Sequence, residues 1–259
     1  MRVPAPIDLS GIDPIAPEEV RVWARDYAFA AHMHVRSALD PSPPRLTGMP
    51  GARVHAVLIP GVVETWRFME PLAKRLVHAG HAVHFVPDLG RNLRPVLESA
   101  PVVGAVVDRV AAAHPHARIV LVGHSKGGLI GKRVLVDRAL DAAQAQPAGL
   151  VALATPFAGS SRARLLPGGY IREFDPSNAM LAALAAERSA DARIRVVLPR
   201  IDPHVPQNRV PEGMRGVRLE AAGHFRPLAT REAADAVLAA IAELTGESAA
   251  SPAPPAQPR

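Results

Sequence analysis

Apolar residues in this chain fall into short, dense runs, separated by longer stretches in which they recur every third or fourth position. The runs lie at 54–59, 82–86, 119–122, 150–154 and 194–198, with a shorter alternating one at 217–220. Four to six apolar residues bounded by turn-formers read as strands, and dense runs read as strands covered on both faces. The stretches between them predict helices at 69–79 (ended by Gly80), at 95–114, after Gly127 through Val136, and a closing helix at 227–244. An earlier helix opens at Pro17-Glu18-Glu19, with proline pre-set for a first turn and acids near the positive dipole end. Val20, Trp23, Tyr27, Ala31, Val35 and Leu39 keep its spacing, and Asp40-Pro41-Ser42-Pro43-Pro44 stops it.

Strand and helix in alternation predict an α/β fold: a mostly parallel central sheet with helices on both faces. Residues 1–52 read as an N-terminal extension with one helix, Pro-rich before it. Residues 53–245 read as the main domain and 246–259 as a disordered tail. The rhythm breaks at 155–192, which holds Gly168-Gly169 and a short helix near 178–187. An insertion there lies above the strand ends, where a lid or substrate-binding cap would sit. The helix at 17–39 is expected to pack on the body of the domain, with a lid-like or membrane-facing role as its alternative. No internal repeat is present.

Composition narrows the function classes. The chain has 259 residues, 48% of them hydrophobic, enough for one substantial core. Aromatics are only 4%, so Val, Leu, Ile and Ala must fill it. There is no cysteine, which excludes disulfides, thiolate metal ligands and a cysteine nucleophile. The net charge of +6 is spread over scattered arginines without aromatic interleaving, which argues against a nucleic-acid partner and leaves contact with an anionic membrane surface open. No run of 18 apolar residues and no N-terminal apolar h-region occurs, so a soluble, cytoplasmic monomer is expected.

The sharpest chemical signal is Gly123-His124-Ser125-Lys126-Gly127, a G-x-S-x-G. By chance alone the pattern would occur in about one chain in twelve of this length, so its weight comes from context. It follows the run 119–122 and precedes a helix, as a nucleophile elbow must. Ser125 is then the candidate nucleophile, with Gly123 and Gly127 allowing strand and helix to close on each other. A serine hydroxyl needs a base and an orienting carboxylate, which follow in the order acid, then histidine. Asp202 and His224 lie just past the strands 194–198 and 217–220, at the carboxyl ends where α/β sheets bind ligands. Asp175 and Asp191 are rivals for the acid, the first in the insertion and the second before its strand. His204 rivals His224 but follows Asp202 too closely to occupy a separate strand end. An oxyanion hole needs two N–H donors; Lys126, after the nucleophile, and Val62, in the exit loop of the first strand, are the candidates. His78, His81 and His84 have metal-like spacing, but Gly80 breaks the helix between them. Neither a metal nor a cofactor is expected.

These residues carry a resemblance. Ile59-Pro60-Gly61, Val122 to Gly128, Thr155-Pro156-Phe157-Ala158-Gly159-Ser160 and Gly223-His224 resemble the α/β-hydrolase superfamily, in its bacterial lipase/esterase branch, over about residues 53–243. Pro87-Asp88-Leu89-Gly90-Arg91-Asn92 is similar to the loop that such lipases set beside the acyl pocket. The resemblance implies an acylated Ser125, with Asp202 and His224 as its triad partners, acting on small-molecule or lipid esters. Acyl transfer with the same triad and a catalytically silent binding protein are its alternatives. Pro60-Gly61 stands where the lipase motif often begins His-Gly, and no early antiparallel strands are evident before Val54.

Overall fold

The computed structural model describes residues 17–40, 42, 51–141, 143–165 and 169–247. The Pro-rich segment before residue 17 and most of the expected tail lie outside the described residues. Six strands form one parallel sheet: β1 (Val54–Ile59), β2 (Ala82–Phe85), β3 (Arg118–His124), β4 (Gly149–Leu153), β5 (Ile194–Leu198) and β6 (Arg215–Arg218). Their order is β2-β1-β3-β4-β5-β6. The chain steps from β1 outward to β2, returns to β3 on the other side, and then proceeds outward. The order therefore reverses between β1 and β3, and the loops leaving a sheet at such a point diverge and open a crevice. Ile59 is in register with Gly123, so the loop after β1 and the turn after β3 emerge side by side.

The dense apolar runs follow from burial on both faces. Val57, Ile59 and Leu121 pack into one core with α3 (Val96–Ala113) and α4 (Lys126–Ala139). Ala56, Leu58, Val120 and Val122 pack into the other with α2 (Glu70–His78) and α6 (Arg231–Thr245), joined by Ala30 and Met33 of α1 (Pro17–Leu39). The insertion 155–192 holds 3₁₀ turns at Ser161–Leu165 and Arg172–Phe174, and helix α5 (Ala179–Ala186). No helix among the described residues is long and apolar enough to cross a membrane.

Three boundaries differ from the sequence expectation. The last strand, expected at 217–220, lies at Arg215–Arg218, where its residues are exposed at the sheet edge and so leave no dense apolar run. The predicted closing helix is two elements, a 3₁₀ turn at Arg226–Ala229 and α6, because the Thr230 side chain accepts the Ala233 N–H at 3.2 Å and caps α6 afresh. At the other end, Gly246 takes a left-handed conformation and the Glu247 N–H bonds Ala242 O at 3.1 Å. Residues 246 and 247 thus close the helix rather than open a tail.

Candidate active site

Ser125 joins β3 to α4 at φ 51°, ψ −120°, a sparsely populated conformation that costs about 1–3 kcal/mol and persists only where the surroundings enforce it. They do so here. The Ser125 N–H is bonded to Leu153 O of β4 at 2.8 Å. A Cβ at Gly127 would stand 2.2 Å from Ile59 O, and one at Gly123 would stand 2.4 Å from Gly127 C. Only glycine lets α4 start this close to β1 and β3, and the strained turn is what leaves the serine at the crevice. Ser125, Val62 and His224 line one cavity of about 390 Å³.

His224 Nδ1 lies 3.0 Å from each Asp202 carboxylate oxygen. A carboxylate only accepts, so Nδ1 carries the hydrogen and Nε2 is left with a lone pair. Asp202 Oδ1 also accepts the N–H groups of His204 (2.9 Å) and Val205 (3.0 Å). The turn-forming bonds of Asp202 and its contact with His224 therefore coexist in one side chain. Burial alone would push the His224 imidazole down; the Asp202 carboxylate, with Asp26 and Glu64 beyond it, leaves it above its ordinary value. Burial would raise the Asp202 carboxyl, but the charge and hydrogen bond of His224 bring it below its ordinary value. The Ser125 hydroxyl makes no hydrogen bond to a described residue, His224 included. Such contacts are often long until substrate orders the pair.

The two rival acids are held elsewhere, whereas His204 lines the same cavity as Ser125 and His224. Asp191 is paired with Lys132 at 2.7 Å beside a second cavity of about 410 Å³ that contains neither Ser125 nor His224. Asp175 is held by Arg164 at 2.7 Å. His204 stacks on Trp23 and sits with its ring centre 4.8 Å from that of His224. Burial and the neighbouring His224 push its imidazole down to about 3, so it stays neutral.

Lys126 is the first residue of α4, so its N–H is among those a helix leaves without an intrahelical acceptor. Its side chain is wholly buried. Nζ bonds the carbonyls of Asn92 (3.3 Å) and Arg94 and lies 3.3 Å from Glu173 of the insertion. Burial pushes this ammonium below the ordinary lysine range, with Glu173 working against it. The loop 87–92 does not line the cavity with Ser125, contrary to what the resemblance implies for it. It supports the site from behind: Asn92 Nδ2 donates to Pro60 O at 2.8 Å and so steadies the chain entering Val62.

Two residues escaped the sequence reading. His124, buried between Gly123 and Ser125, places Nε2 2.9 Å from the carbonyl oxygen of His224 and Nδ1 3.0 Å from Glu64 Oε2. Nδ1 is nearer to Oε1, 2.8 Å, but poorly aligned with it for a hydrogen bond. Glu64 Oε2 also accepts the Gly61 N–H at 2.7 Å. A carbonyl cannot donate, so Nε2 carries hydrogen. The Glu64–His124 contact must then hold a second proton, on the imidazole or on the carboxyl. This buried pair connects three loops: the one before Val62, the elbow, and the one bearing His224. Nothing local in the sequence marks it, since the partners are 60 residues apart.

No protein-family model matches the chain, and no curated protein matches it in sequence. Solved structures do match in shape. A lipase from Bacillus licheniformis aligns with a TM-score of 0.58 at 12% identity, covering 78% of this chain and 96% of the other. A monoacylglycerol lipase from Paleococcus ferrophilus aligns at 0.53 and 15% identity over 78% and 97%. A metagenomic carboxyl esterase aligns at 0.51 and 19% identity over 80% of each chain.

Proposed function

We propose that this chain, which has the α/β-hydrolase fold, is a serine hydrolase of carboxylic esters that works through an acyl-enzyme on Ser125. The observation that carries the reading is the Asp202–His224 pair, whose Nδ1 contact leaves Nε2 basic while His224 and Ser125 line one cavity. His224 Nε2 takes the hydroxyl proton as Oγ attacks the ester carbonyl, and Asp202 stabilises the imidazolium that forms. The negative charge on the carbonyl oxygen develops between the N–H groups of Val62 and Lys126. His224 passes its proton to the departing alcohol. Water, deprotonated by the same imidazole, then releases the acid.

The walls supply the preference. Ala30 and Ala31 of α1, Ile171 and Phe174 of the insertion, and Phe225 make the cavity mainly apolar, which suits an aliphatic acyl or alkoxy group. The insertion thereby takes the part of a cap. The lipase and esterase descriptions of the structural neighbours agree with this chemistry but do not identify the ester. Ser125→Ala is expected to abolish turnover of a p-nitrophenyl ester, and labelling by a fluorophosphonate, with the circular dichroism spectrum unchanged. Turnover retained by the folded variant would remove the proposal.

A further inference from the structure

We propose that Asp26, on the N-terminal helix α1, is a positioning residue for His224, and that α1 is therefore a working part of the active site. The inference rests on reading His224 as the base. Asp26 is fully buried, at 0% exposure. Its Oδ2 accepts the backbone N–H of His224 at 2.8 Å, and its Oδ1 accepts those of Phe225 and Arg226 at 2.9 Å each. Three consecutive peptide donors are thus gathered by one carboxylate 198 to 200 residues away in sequence. The last of them is the first donor of the 3₁₀ turn Arg226–Ala229, whose own cap position, Phe225, offers no side-chain acceptor. A buried carboxylate without compensation is expensive, and three charge-assisted N–H bonds are the compensation seen here.

The approach is close. Gly223 adopts φ +117°, and a Cβ there would stand 2.4 Å from Asp26 Oδ1. The carboxylate meets the loop at a distance that only glycine permits. The neighbours of Asp26 on the same helix, Tyr27, Ala30, Ala31 and His34, line the cavity with Ser125. One helix therefore walls the cavity and fixes the backbone that carries the base. His124 holds the same residue from the opposite side, through the His224 carbonyl. With its N–H on α1 and its C=O on β3, the peptide framework of His224 is set by two side chains that need not touch substrate.

The groups that face His224 are Asp202 and His204 from the loop after β5, Asp26 from α1, Glu64 from the loop after β1, and His124 from β3. Asp26 adds negative charge, so its loss has a readout that a mere brace lacks. The test measures hydrolysis of p-nitrophenyl butyrate against pH by full-length Asp26→Asn and Asp26→Glu variants. Asp26→Asn is expected to lower kcat/KM on the order of 10- to 100-fold, mainly in kcat, as a misplaced base would. Its acid limb should move to lower pH, because a negative charge near the imidazole is gone. Asp26→Glu, which keeps the carboxylate one methylene out of place, should fall between Asn and wild type in kcat and keep the wild-type acid limb. Wild-type kcat/KM with an unmoved limb in Asp26→Asn overturns the proposal, and so do equal losses in both variants with the limb unmoved. If Asp26→Asn yields no folded protein, Asp26→Glu decides: lowered kcat at constant KM supports the role, and wild-type kinetics overturns it. Ser125→Ala, assayed alongside, tests the nucleophile separately; activity retained there sinks the hydrolase reading, not the anchoring of the loop.

Discussion

Replacing Glu64 by alanine and by glutamine separates the charge of the Glu64–His124 pair from its hydrogen bonds. Glu64→Ala leaves the Gly61 N–H without its acceptor and His124 Nδ1 without its partner, in a site where Glu64 and His124 are both buried. Removing one member of a buried pair costs about 3–5 kcal/mol, because the other is stranded away from water. For 259 residues, with unfolding entropy near 2.1 cal/mol/K per residue, this lowers Tm by about 6–9 °C. Activity should fall further than the folded fraction explains, on the order of 100-fold in kcat, because Gly61 precedes Val62, the proposed oxyanion donor. Glutamine can satisfy the same partners without the second proton. With its carbonyl at the Oε2 position it accepts the Gly61 N–H, and its amide at the Oε1 position, 2.8 Å from Nδ1, donates to a neutral His124 after a small rotation into line, while Nε2–H stays on the His224 carbonyl. Glu64→Gln should therefore lose less than about 1 kcal/mol. Calorimetry with parallel ester hydrolysis reads both effects. Equal losses in the two variants, or a change below about 0.5 kcal/mol in Glu64→Ala, would refute the proton-sharing argument.

Other consequences follow from the same geometry. As the proposed base, His224 must be unprotonated to act, and it is held above the ordinary imidazole value of 6.5, so kcat/KM should decline as pH falls through a point above that value; a pH–rate profile with its acid limb at or below 6.5 contradicts this. The pair also shapes stability. The contribution of Asp202, whose pKa is lowered, is present above the ordinary 3.8 and fades on acidification, whereas that of His224 is present below 6.5 and fades as pH rises through its raised value. Urea midpoints should accordingly peak between these limits and flatten in Asp202→Asn. Gly127→Ala should cost about 1–3 kcal/mol or more in urea unfolding, since its Cβ meets the Ile59 backbone, whereas Gly169→Ala, with nothing within 4 Å, should stay within about 0.5 kcal/mol.

How much of this was legible beforehand depends on how local the cause is. Five of the six strands could be read from dense apolar runs, because each run reports burial on both faces of its own strand; the exposed β6 was anticipated only by a short alternating run placed two residues late. The elbow could be read because strand, Gly-x-Ser-x-Gly and helix are contiguous. Asp202 and His224 were legible at one remove: each follows a strand, and in a parallel sheet all the carboxyl ends share one rim. The stop of α6 at Gly246 and Glu247 was misjudged as the start of a tail, since a polar, Pro-rich continuation hides a glycine cap.

The residues that went unseen are those whose role exists only across the fold. Glu64 meets His124 across 60 residues, and Asp26 meets His224 across 198. Neither pair leaves a periodicity or a spacing, because a hydrogen bond constrains position in space and not separation along the chain. The side-chain contacts of Asn92 with Pro60, and of Lys126 with the carbonyls of Asn92 and Arg94, belong with them, although both residues had been singled out for other reasons. Local pattern determined the sheet, its covering helices and the turn that strains Ser125. Only the packing of α1 and of the loop after β1 against the sheet rim decided what holds His224 in place, since the partners of its backbone N–H and C=O come from remote parts of the chain.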